Sequence, residues 1–411
     1  MEDKSRRNIQ NYRAIKIFIV VIVMTGLLSS CSTNDDNANE DVTFQFPYRS
    51  LTEYGLCHIE NNIARFTDFE TGNDVALCSK PNCQHIRTYY GAKSTCDGYL
   101  GINPEFLFMA GDSIYWMASP EEAEDSLSTL FDRILYRADK NGKNRKKIYE
   151  FSNVQNVFNA AYCGDYFAFG YVVSMSNQTE DGINLDELPK RKAGVYMVNI
   201  KTSEAILVDE FEEYGILCRN VFFNSGKLYY FISYTTEDLI NPYGNVTNEE
   251  YNRKHDAIAK HMIFEYDLLS GEKKIVWDGT KDFLITAGRE SFLVDEGTRV
   301  ILVNKGEKKV ELHADDLTDH NSEYVSKYIY ENDIYMADGK QVWYRDSKTG
   351  ELKKVANGKL DGKGIESIIG IEGNIIYYTC KQGTEHCYYM IEKDAFLSGD
   401  IENAKIIMEA K

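Results

Sequence analysis

The chain has 411 residues and a formal net charge of −18, with 64 acidic against 46 basic side chains. Such an acidic protein repels phosphate backbones, which argues against nucleic acid as a partner. Aromatic residues make up 13% of the chain, proline occurs only six times, and apolar stretches with helical periodicity are scarce. This composition predicts an all-β protein with a sizeable core.

The first thirty residues have the pattern of an export signal. A basic leader ends at Lys16, and an apolar run of about twelve residues follows it, from Ile17 to Leu28. A helix that spans a bilayer needs about twenty such residues, whereas a run of this length is typical of a signal-peptide core. An uncleaved amino-terminal membrane helix is the alternative.

Leu28-Ser29-Ser30-Cys31 follows the apolar run directly. It resembles the lipobox of bacterial lipoproteins, in which an aliphatic residue and two small residues precede a cysteine that is lipidated. The resemblance implies that residues 1–30 are a lipoprotein signal peptide and that acyl chains such as palmitate are attached to Cys31. The protein would then be held at the cell membrane, on its extracytoplasmic side, because two or more acyl chains give stable anchoring.

Residues 31–41 are polar and acidic, and they include no apolar side chain large enough to pack. Segments of this composition do not bury enough surface to fold, so a flexible tether is predicted here. The remainder, residues 42–411, is predicted to be a single folded domain.

A repeated pattern runs through that domain, and its plainest copy is Tyr328–Leu352. Two short β-branched and aromatic strands are joined there at Asp338-Gly339, and a polar turn follows. A strand that ends in Asp or Asn before a polar turn recurs at Asp68, Asp139, Asn199, Asp267, Asn304 and Asp346. The shortest spacings, 37 and 42 residues between positions 267, 304 and 346, fit one four-stranded blade of about forty residues.

The repeats therefore predict a β-propeller of about seven four-stranded blades, with six or eight as alternatives. The chain here resembles bacterial β-propeller lipoproteins of the TolB-like and YncE-like kind, over most of residues 50–410. The resemblance implies a fold, not an activity. One blade is expected to combine both chain ends, with Val42–Phe46 pairing with the carboxyl-terminal blade to close the ring.

Three consecutive blades carry long insertions, and in each blade the insertion lies between the second and third strands. They are Ala118–Phe131, Met175–Lys192 and Tyr234–Ala259. Because all such connections of a propeller emerge on one face, the insertions are predicted to build up the same side. Structured loops on a rigid scaffold often carry binding function. The alternative is that the insertions are surface loops that the fold tolerates and that have no function.

Cys78, Cys83, His85 and Cys96 form the densest group of metal-ligand residues, with the spacing C-x4-C-x-H-x10-C. Three thiolates and one imidazole suit a closed, tetrahedral structural zinc site. The spacing is not that of a standard zinc finger. The alternatives are free thiols or a Cys78–Cys83 or Cys83–Cys96 disulfide, which is natural outside the membrane.

The other cysteines divide into two groups. Cys380 and Cys387 flank a six-residue hairpin loop and are a candidate cross-strand disulfide. Cys57, Cys163 and Cys218 lie beside apolar or aromatic residues and are predicted to be buried as small apolar side chains.

Signatures of catalysis are absent from the sequence. It has no G-x-S-x-G elbow, no H-E-x-x-H helix, no Walker-type phosphate loop and no EF-hand, so no catalytic residue is assigned. The sequence favours a non-catalytic binding or scaffold protein for an envelope protein, peptide or glycan, held on the insertion-bearing face. The alternative is an extracellular propeller hydrolase or lyase that acts on glycans or peptides.

Overall fold

A computed structural model of the protein describes most of the chain after residue 42. The described residues are 43–45, 49–52, 54–85, 94–120, 132–154, 156–173, 178–179, 182–183, 190–237, 248–279, 283–288, 291–296, 299–304, 307–313, 326–339, 341–355, 359–360, 363–382 and 385–408. The predicted signal peptide, Cys31 and the tether lie outside them. Among the described residues, no helix has the length and apolarity needed to cross a bilayer.

Among the described residues, the strands form successive antiparallel blades of four strands, with a fifth, two-residue strand in the last one. Apart from β1, each blade uses consecutive segments of chain. We number these blades 1 to 7. After β1 (Thr43–Gln45), blade 1 holds β2 (Arg49–Leu51), β3 (Gly55–Glu60), β4 (Ile63–Asp68) and β5 (Asp74–Ala76). Blade 2 holds β6 (Ile102–Ala110), β7 (Ser113–Ser119), β8 (Arg133–Asp139) and β9 (Lys146–Phe151).

Blades 3 and 4 share one long strand. Blade 3 holds β10 (Asn156–Cys163), β11 (Tyr166–Val173), β14 (Arg191–Asn199) and the first half of β15 (Glu204–Asn224), with a small hairpin of β12 (Gln178–Thr179) and β13 (Gly182–Ile183) in its insertion. Blade 4 holds the second half of β15, then β16 (Lys227–Thr235), helix α1 (Asn248–Ile258), β17 (Ala259–Asp267) and β18 (Lys273–Gly279).

The remaining blades follow the same order. Blade 5 holds β19 (Leu284–Ala287), β20 (Ser291–Asp295), β21 (Arg299–Asn304) and β22 (Glu307–His313), and blade 6 holds β23 (Ser326–Tyr330), β24 (Asp333–Ala337), β25 (Val342–Arg345) and β26 (Leu352–Val355). Blade 7 holds β27 (Lys359–Leu360), β28 (Lys363–Glu372), β29 (Ile375–Gln382), β30 (Glu385–Glu392), helix α2 (Lys393–Ser398), a 3-10 turn (Ile401–Asn403) and β31 (Lys405–Met408).

β15 runs for 21 residues without a break. Its first half pairs with β14 up to Glu213, and its second half pairs with β16 from Tyr214. Gly215, at the changeover, has a φ of +59°, a conformation that glycine adopts without the clash of a Cβ atom. The outer strand of blade 3 therefore continues directly into the inner strand of blade 4.

The hydrophobic core is divided among the seams between neighbouring blades. One cluster lies in each seam; Phe222, Tyr229 and Phe292, for example, pack between blades 4 and 5. The other clusters join the remaining neighbours, and the last joins blade 7 to blade 1. Sheets that succeed one another in sequence and pack in a closed ring are a β-propeller, so the predicted fold class is confirmed.

The predicted ring closure was wrong. β1 pairs with β10, the first strand of blade 3, and not with the carboxyl-terminal blade. Blade 7 already has its fourth strand, because the chain returns through α2 and pairs β31 with β30. The inner edge of β10 was free to accept β1. The seam between blades 7 and 1 is instead closed by side chains, and the rings of Phe69 and Tyr377 stack there with their centroids 4.9 Å apart.

The repeated Asp or Asn organises the turn after each third strand. The Asp267 carboxylate accepts the N–H groups of Leu269 and Ser270, both at 2.9 Å, and Asp346 and Asn199 bond in the same way. A side chain that mimics a backbone turn in this way is the reason Asp and Asn are favoured at that position. The repeated Asp or Asn in the sequence therefore reflects a hydrogen-bonding requirement of the turn after the third strand.

The connections between strands emerge on two sides of the ring. We call the side with the connections from first to second and from third to fourth strands the turn face; there the Asn224 amide donates to the carbonyl of Gly288 in the next blade, at 3.2 Å. The opposite side, the insertion face, carries the insertions. Their observed bounds are 120–132, 174–190 and 236–258, shorter than predicted because β7, β14, β16 and β17 extend into them.

Candidate metal centre

The candidate metal centre lies in the link from β5 to β6, which joins blade 1 to blade 2. Backbone hydrogen bonds fasten both ends of this link to the same part of blade 1. The N–H of Leu77 donates to the carbonyl of Ala64 at 2.8 Å, and the N–H of Ala64 donates to the carbonyl of Gly98 at 2.8 Å. Cys78 and Cys96, eighteen positions apart in the chain, are therefore brought side by side.

The four predicted ligands converge in the structure. The sulfur atoms of Cys78, Cys83 and Cys96 and a ring nitrogen of His85 all lie within 4.8 Å of one another, and the distance from His85 Nδ1 to Cys96 Sγ is 3.5 Å. A tetrahedral zinc ion with Zn–S bonds of about 2.3 Å and a Zn–N bond of about 2.1 Å separates its ligand atoms by about 3.5–3.8 Å. The donor set therefore fits zinc after a contraction of at most about 1 Å.

A tight turn brings Cys83 and His85 back toward Cys78. Pro81 fixes its start, and Asn82 and His85 have φ values of +60° and +52°. Asn and His are among the residues that adopt this left-handed region most readily. All three cysteines of the cluster are thiols in the structure.

Asp97 holds the two halves of the link together. Its carboxylate accepts a hydrogen bond from Ser79 Oγ at 3.0 Å and forms an ion pair with Lys80 at 3.1 Å; Lys80 also donates to the carbonyl of Thr95. Partial burial opposes ionisation of Asp97, but Lys80 and Ser79 outweigh it and lower the pKa of the carboxyl. These contacts hold the segments around Cys78 and Cys96 together, and none of them involves a candidate metal-ligand atom.

The thiols differ in their ease of ionisation. Burial opposes ionisation of Cys78, but hydrogen bonds from the backbone N–H groups of Lys80 and Asp97 outweigh it and lower the pKa of this thiol. Burial raises the pKa of Cys96 to about 12. Because metal binding requires thiolates, Cys78 gives up its proton to an incoming ion more readily than Cys96 does. Four protein ligands leave no open position, so a metal here would be structural.

The link from β5 to β6 also packs closely against blade 2. A Cβ atom added to Gly142, in the turn between β8 and β9, would lie 2.4 Å from the carbonyl oxygen of Asp97. Trp116 of β7 is fully buried and donates its indole N–H to the carbonyl of Leu100 at 2.7 Å, and the Arg145 guanidinium lies 5.0 Å from the centre of the Trp116 ring. The candidate centre therefore couples the first two blades.

Gly142→Ala is expected to destabilise the protein by about 2–4 kcal/mol, from left-handed backbone strain plus the clash with Asp97. It should also weaken zinc retention, because relief of the clash displaces the segment before Gly98. Gly72→Ala is the matched control: Gly72 is the equivalent turn residue of blade 1, its φ of +71° is similar, and nothing lies within 4 Å of an added Cβ. Chemical unfolding and zinc analysis of both variants test this; equal losses in the two variants would contradict it.

Neither the families of known proteins nor the curated proteins include a match to this sequence. Among solved structures, the chain is similar to the acylaminoacyl peptidase of Pyrococcus horikoshii, at 13% identity and a TM-score of 0.47, over 92% of this chain and 54% of that one. It is also similar to the β-propeller domain of the trilobed protease of Pyrococcus furiosus, at 13% identity and a TM-score of 0.46, over 90% and 96% of the two chains.

A third similar structure is TolB of Acinetobacter baumannii, at 13% identity and a TM-score of 0.34, over 86% and 77% of the two chains. The protein spans only about half the length of the acylaminoacyl peptidases it matches. At these scores the assignment of the fold rests on the sheet order and the seams described above.

The remaining cysteines lie where the sequence placed them. Cys380 and Cys387 are directly opposite in the register of β29 and β30, and both are buried; a covalent bond between them stays a prediction. Their hairpin is tighter than expected, since pairing continues to Gln382 and Glu385. Cys57, Cys163 and Cys218 are buried in the core clusters. Cys31 lies outside the described residues.

A charged cluster next to the candidate centre was missed by the sequence analysis. Asp74 at the start of β5 accepts from the Arg65 guanidinium at 2.9 Å and lies 3.1 Å from His58 Nε2. Burial opposes ionisation of Asp74, but His58 and Arg65 outweigh it and lower the pKa of its carboxyl to about 2. The available signal was the polar residue that each of β3, β4 and β5 places on the same side of blade 1.

Asp74→Asn is expected to lower the free energy of unfolding by about 1–2 kcal/mol at pH 7, after allowance for solvent screening. Since the folded pKa lies below the unfolded value of about 3.9, this stabilisation is present above about pH 4 and disappears as the pH falls toward 2. The difference between wild type and variant should therefore shrink over that range in chemical unfolding. Asp112→Asn, at a fully exposed carboxylate, is the control. A difference that is constant with pH would refute the assignment.

Proposed function

We propose that the protein is a lipid-anchored, extracytoplasmic β-propeller that binds an envelope protein, peptide or glycan on its insertion face without transforming it. The anchor is Cys31, at the end of the export signal. The propeller supplies the rigid scaffold, and the insertions of blades 2, 3 and 4 supply the binding surface.

One observation carries this proposal: the long connections are concentrated on one side of three consecutive blades. Their bounds are 120–132, 174–190 and 236–258, whereas the equivalent connection of blade 1 is only the two residues 61–62 and that of blade 6 is 338–341. The insertions contain fourteen acidic and three basic residues. Such a surface suits a cationic or sugar-like ligand.

The position of β1 supports binding over catalysis. It lies beside β2, β6, β10 and β15, which include the first strands of blades 1 to 4. Only the central channel brings one segment close to the first strands of four blades. A main-chain segment thus occupies part of the channel in which inward-facing groups of a propeller would have to meet a substrate.

We also propose a structural zinc ion at Cys78, Cys83, His85 and Cys96. It would fix the short strand β5 and the start of blade 2 against each other. No other cofactor is proposed.

The binding proposal is tested by cross-linking and affinity capture in envelope extracts. Residues 175–189 and 237–257 are replaced, separately and together, by short Gly-Ser links, which leaves β14, β16 and β17 intact. Recovery of the partner should fall at least tenfold in the double variant, while the thermal transition of the propeller is retained. Unchanged recovery would remove the proposal, and turnover of a glycan or peptide by the purified protein would favour the hydrolase or lyase alternative.

A further inference from the structure

The direction of β1 fixes the mouth of the channel through which the chain enters. β1 is antiparallel to β10, with Thr43 opposite Tyr162 and Gln45 opposite Ala160. β10 ends at the turn Gly164-Asp165, which belongs to the turn face. Thr43 therefore lies at the turn face, and β1 runs from there toward the insertion face.

From this direction we infer that the propeller sits with its turn face toward the lipid membrane and its insertion face away from it. The inference rests on the lipid anchor at Cys31 that is part of the proposed function. It adds which surface meets the phospholipid headgroups and which surface is left open to a partner.

The length of the chain before β1 supports this orientation. Cys31 and Thr43 are twelve positions apart, so they are separated by at most about 40 Å. To reach a membrane at the insertion face, the chain would have to cross about 14 Å from the first to the fourth strand of a blade and then follow about 25 Å of blade height. That path uses the entire reach, whereas a membrane at the turn face requires none of it.

The distribution of charge points the same way. The insertions of blades 2, 3 and 4 contain fourteen acidic against three basic residues, whereas the turns of the same blades on the turn face contain three acidic and four basic residues (Asp112, Asp165, Glu272, Lys140, Lys143, Arg145 and Lys201). An anionic lipid surface repels the first set over distances of about 10 Å. The insertion face of these blades is therefore repelled by such a membrane much more strongly than their turn face, which stays close to neutral even when Asp139 and Asp267 at the strand ends are included.

The full-length lipidated protein in vesicles of phosphatidylglycerol and phosphatidylcholine provides the test. A keto-bearing phenylalanine analogue replaces either Glu272, in the turn between β17 and β18, or Asp256, in α1. Both sites are exposed acidic residues of blade 4, so the two proteins differ only in the face that carries the dye. Energy transfer to a dye on the lipid headgroups should be at least about twofold more efficient from position 272, because about 25 Å of blade height separates the labels.

Two controls separate the orientation from the anchor. The Cys31→Ser variant should fail to float with the vesicles; flotation equal to wild type would overturn the lipid anchor. If the two labelled proteins with Cys31 intact float with the vesicles but energy transfer is equally efficient from both positions, or more efficient from position 256, the orientation alone is overturned. Insertion of thirty Gly and Ser residues after Glu40 should bring the two transfer efficiencies together, since the longer tether releases the domain.

Discussion

Replacement of Cys96 by serine is expected to abolish zinc retention and to destabilise the protein by more than about 4 kcal/mol, the range that marks loss of a structural metal. Wild type should keep one zinc per chain through desalting, and the variant should keep none. The loss of affinity should exceed about 100-fold, because even groups that only support metal ligands contribute 10- to 100-fold. Elemental analysis and chemical unfolding measure the two effects.

Cys57→Ala is the matched control for this experiment. Cys57 is fully buried in the seam between blades 1 and 2, so its truncation costs packing energy without touching the metal ligands. It should reduce stability and leave zinc content unchanged. The disulfide alternative predicts a different result for wild type. The protein would then hold no zinc, and its mass would be lower by two hydrogens for each disulfide among Cys78, Cys83 and Cys96.

Phe69→Ala is expected to destabilise the protein by about 3–5 kcal/mol, as for other buried aromatic residues. Phe69 is 6% exposed and belongs to the smallest core cluster among the described residues, whose buried members are Leu56, Phe69, Tyr377, Tyr388 and Ile407. Among the described residues no strand pairs across the seam between blades 7 and 1, and the two blades are joined by side-chain packing and by the bonds from Lys405 to the carbonyls of Phe69 and Glu70. The loss should therefore be local, and the ring should open there first.

Hydrogen exchange distinguishes local opening from general destabilisation. In Phe69→Ala, amides of β3, β4, β29 and β30 should exchange faster than those of blades 3 to 5. Phe292→Ala is the control, since Phe292 is equally buried but packs on Phe222 and Tyr229 in the seam between blades 4 and 5. Uniform acceleration across all blades in the Phe69 variant would show that the closing seam is no weaker than the others.

The parts of the fold that the sequence predicted are those with local causes. The turn after each third strand is encoded by one Asp or Asn that bonds two N–H groups within three residues, as at Asp267. That repeat was sufficient to predict the β-propeller. The grouping of Cys78, Cys83, His85 and Cys96 was likewise predicted from their spacing, and the structure brings the four side chains together; their role as metal ligands stays a prediction.

The parts that escaped prediction depend on contacts between distant segments. β1 has the alternation of a strand, but its choice of β10 depends on which edges of the assembled ring are free. The contact between Gly142 and Asp97 arises only when blade 2 meets the link from blade 1. The continuity of β15 was also hidden, because its first half ends in an acidic stretch at residues 209–213 and reads like the end of a blade.

Ring closure by side chains also has a consequence for the order of folding. The four strands of each blade are contiguous in the described chain, so blades 1 to 6 can complete their own hydrogen bonds during synthesis as soon as their strands have emerged, without waiting for β31 of blade 7. Propellers that weave both chain ends into one blade must leave that blade incomplete until the last residues arrive. Here the long-range steps are the pairing of β1 with β10, about a hundred residues further along the chain, and the later contact of Tyr377 with Phe69, which closes the ring.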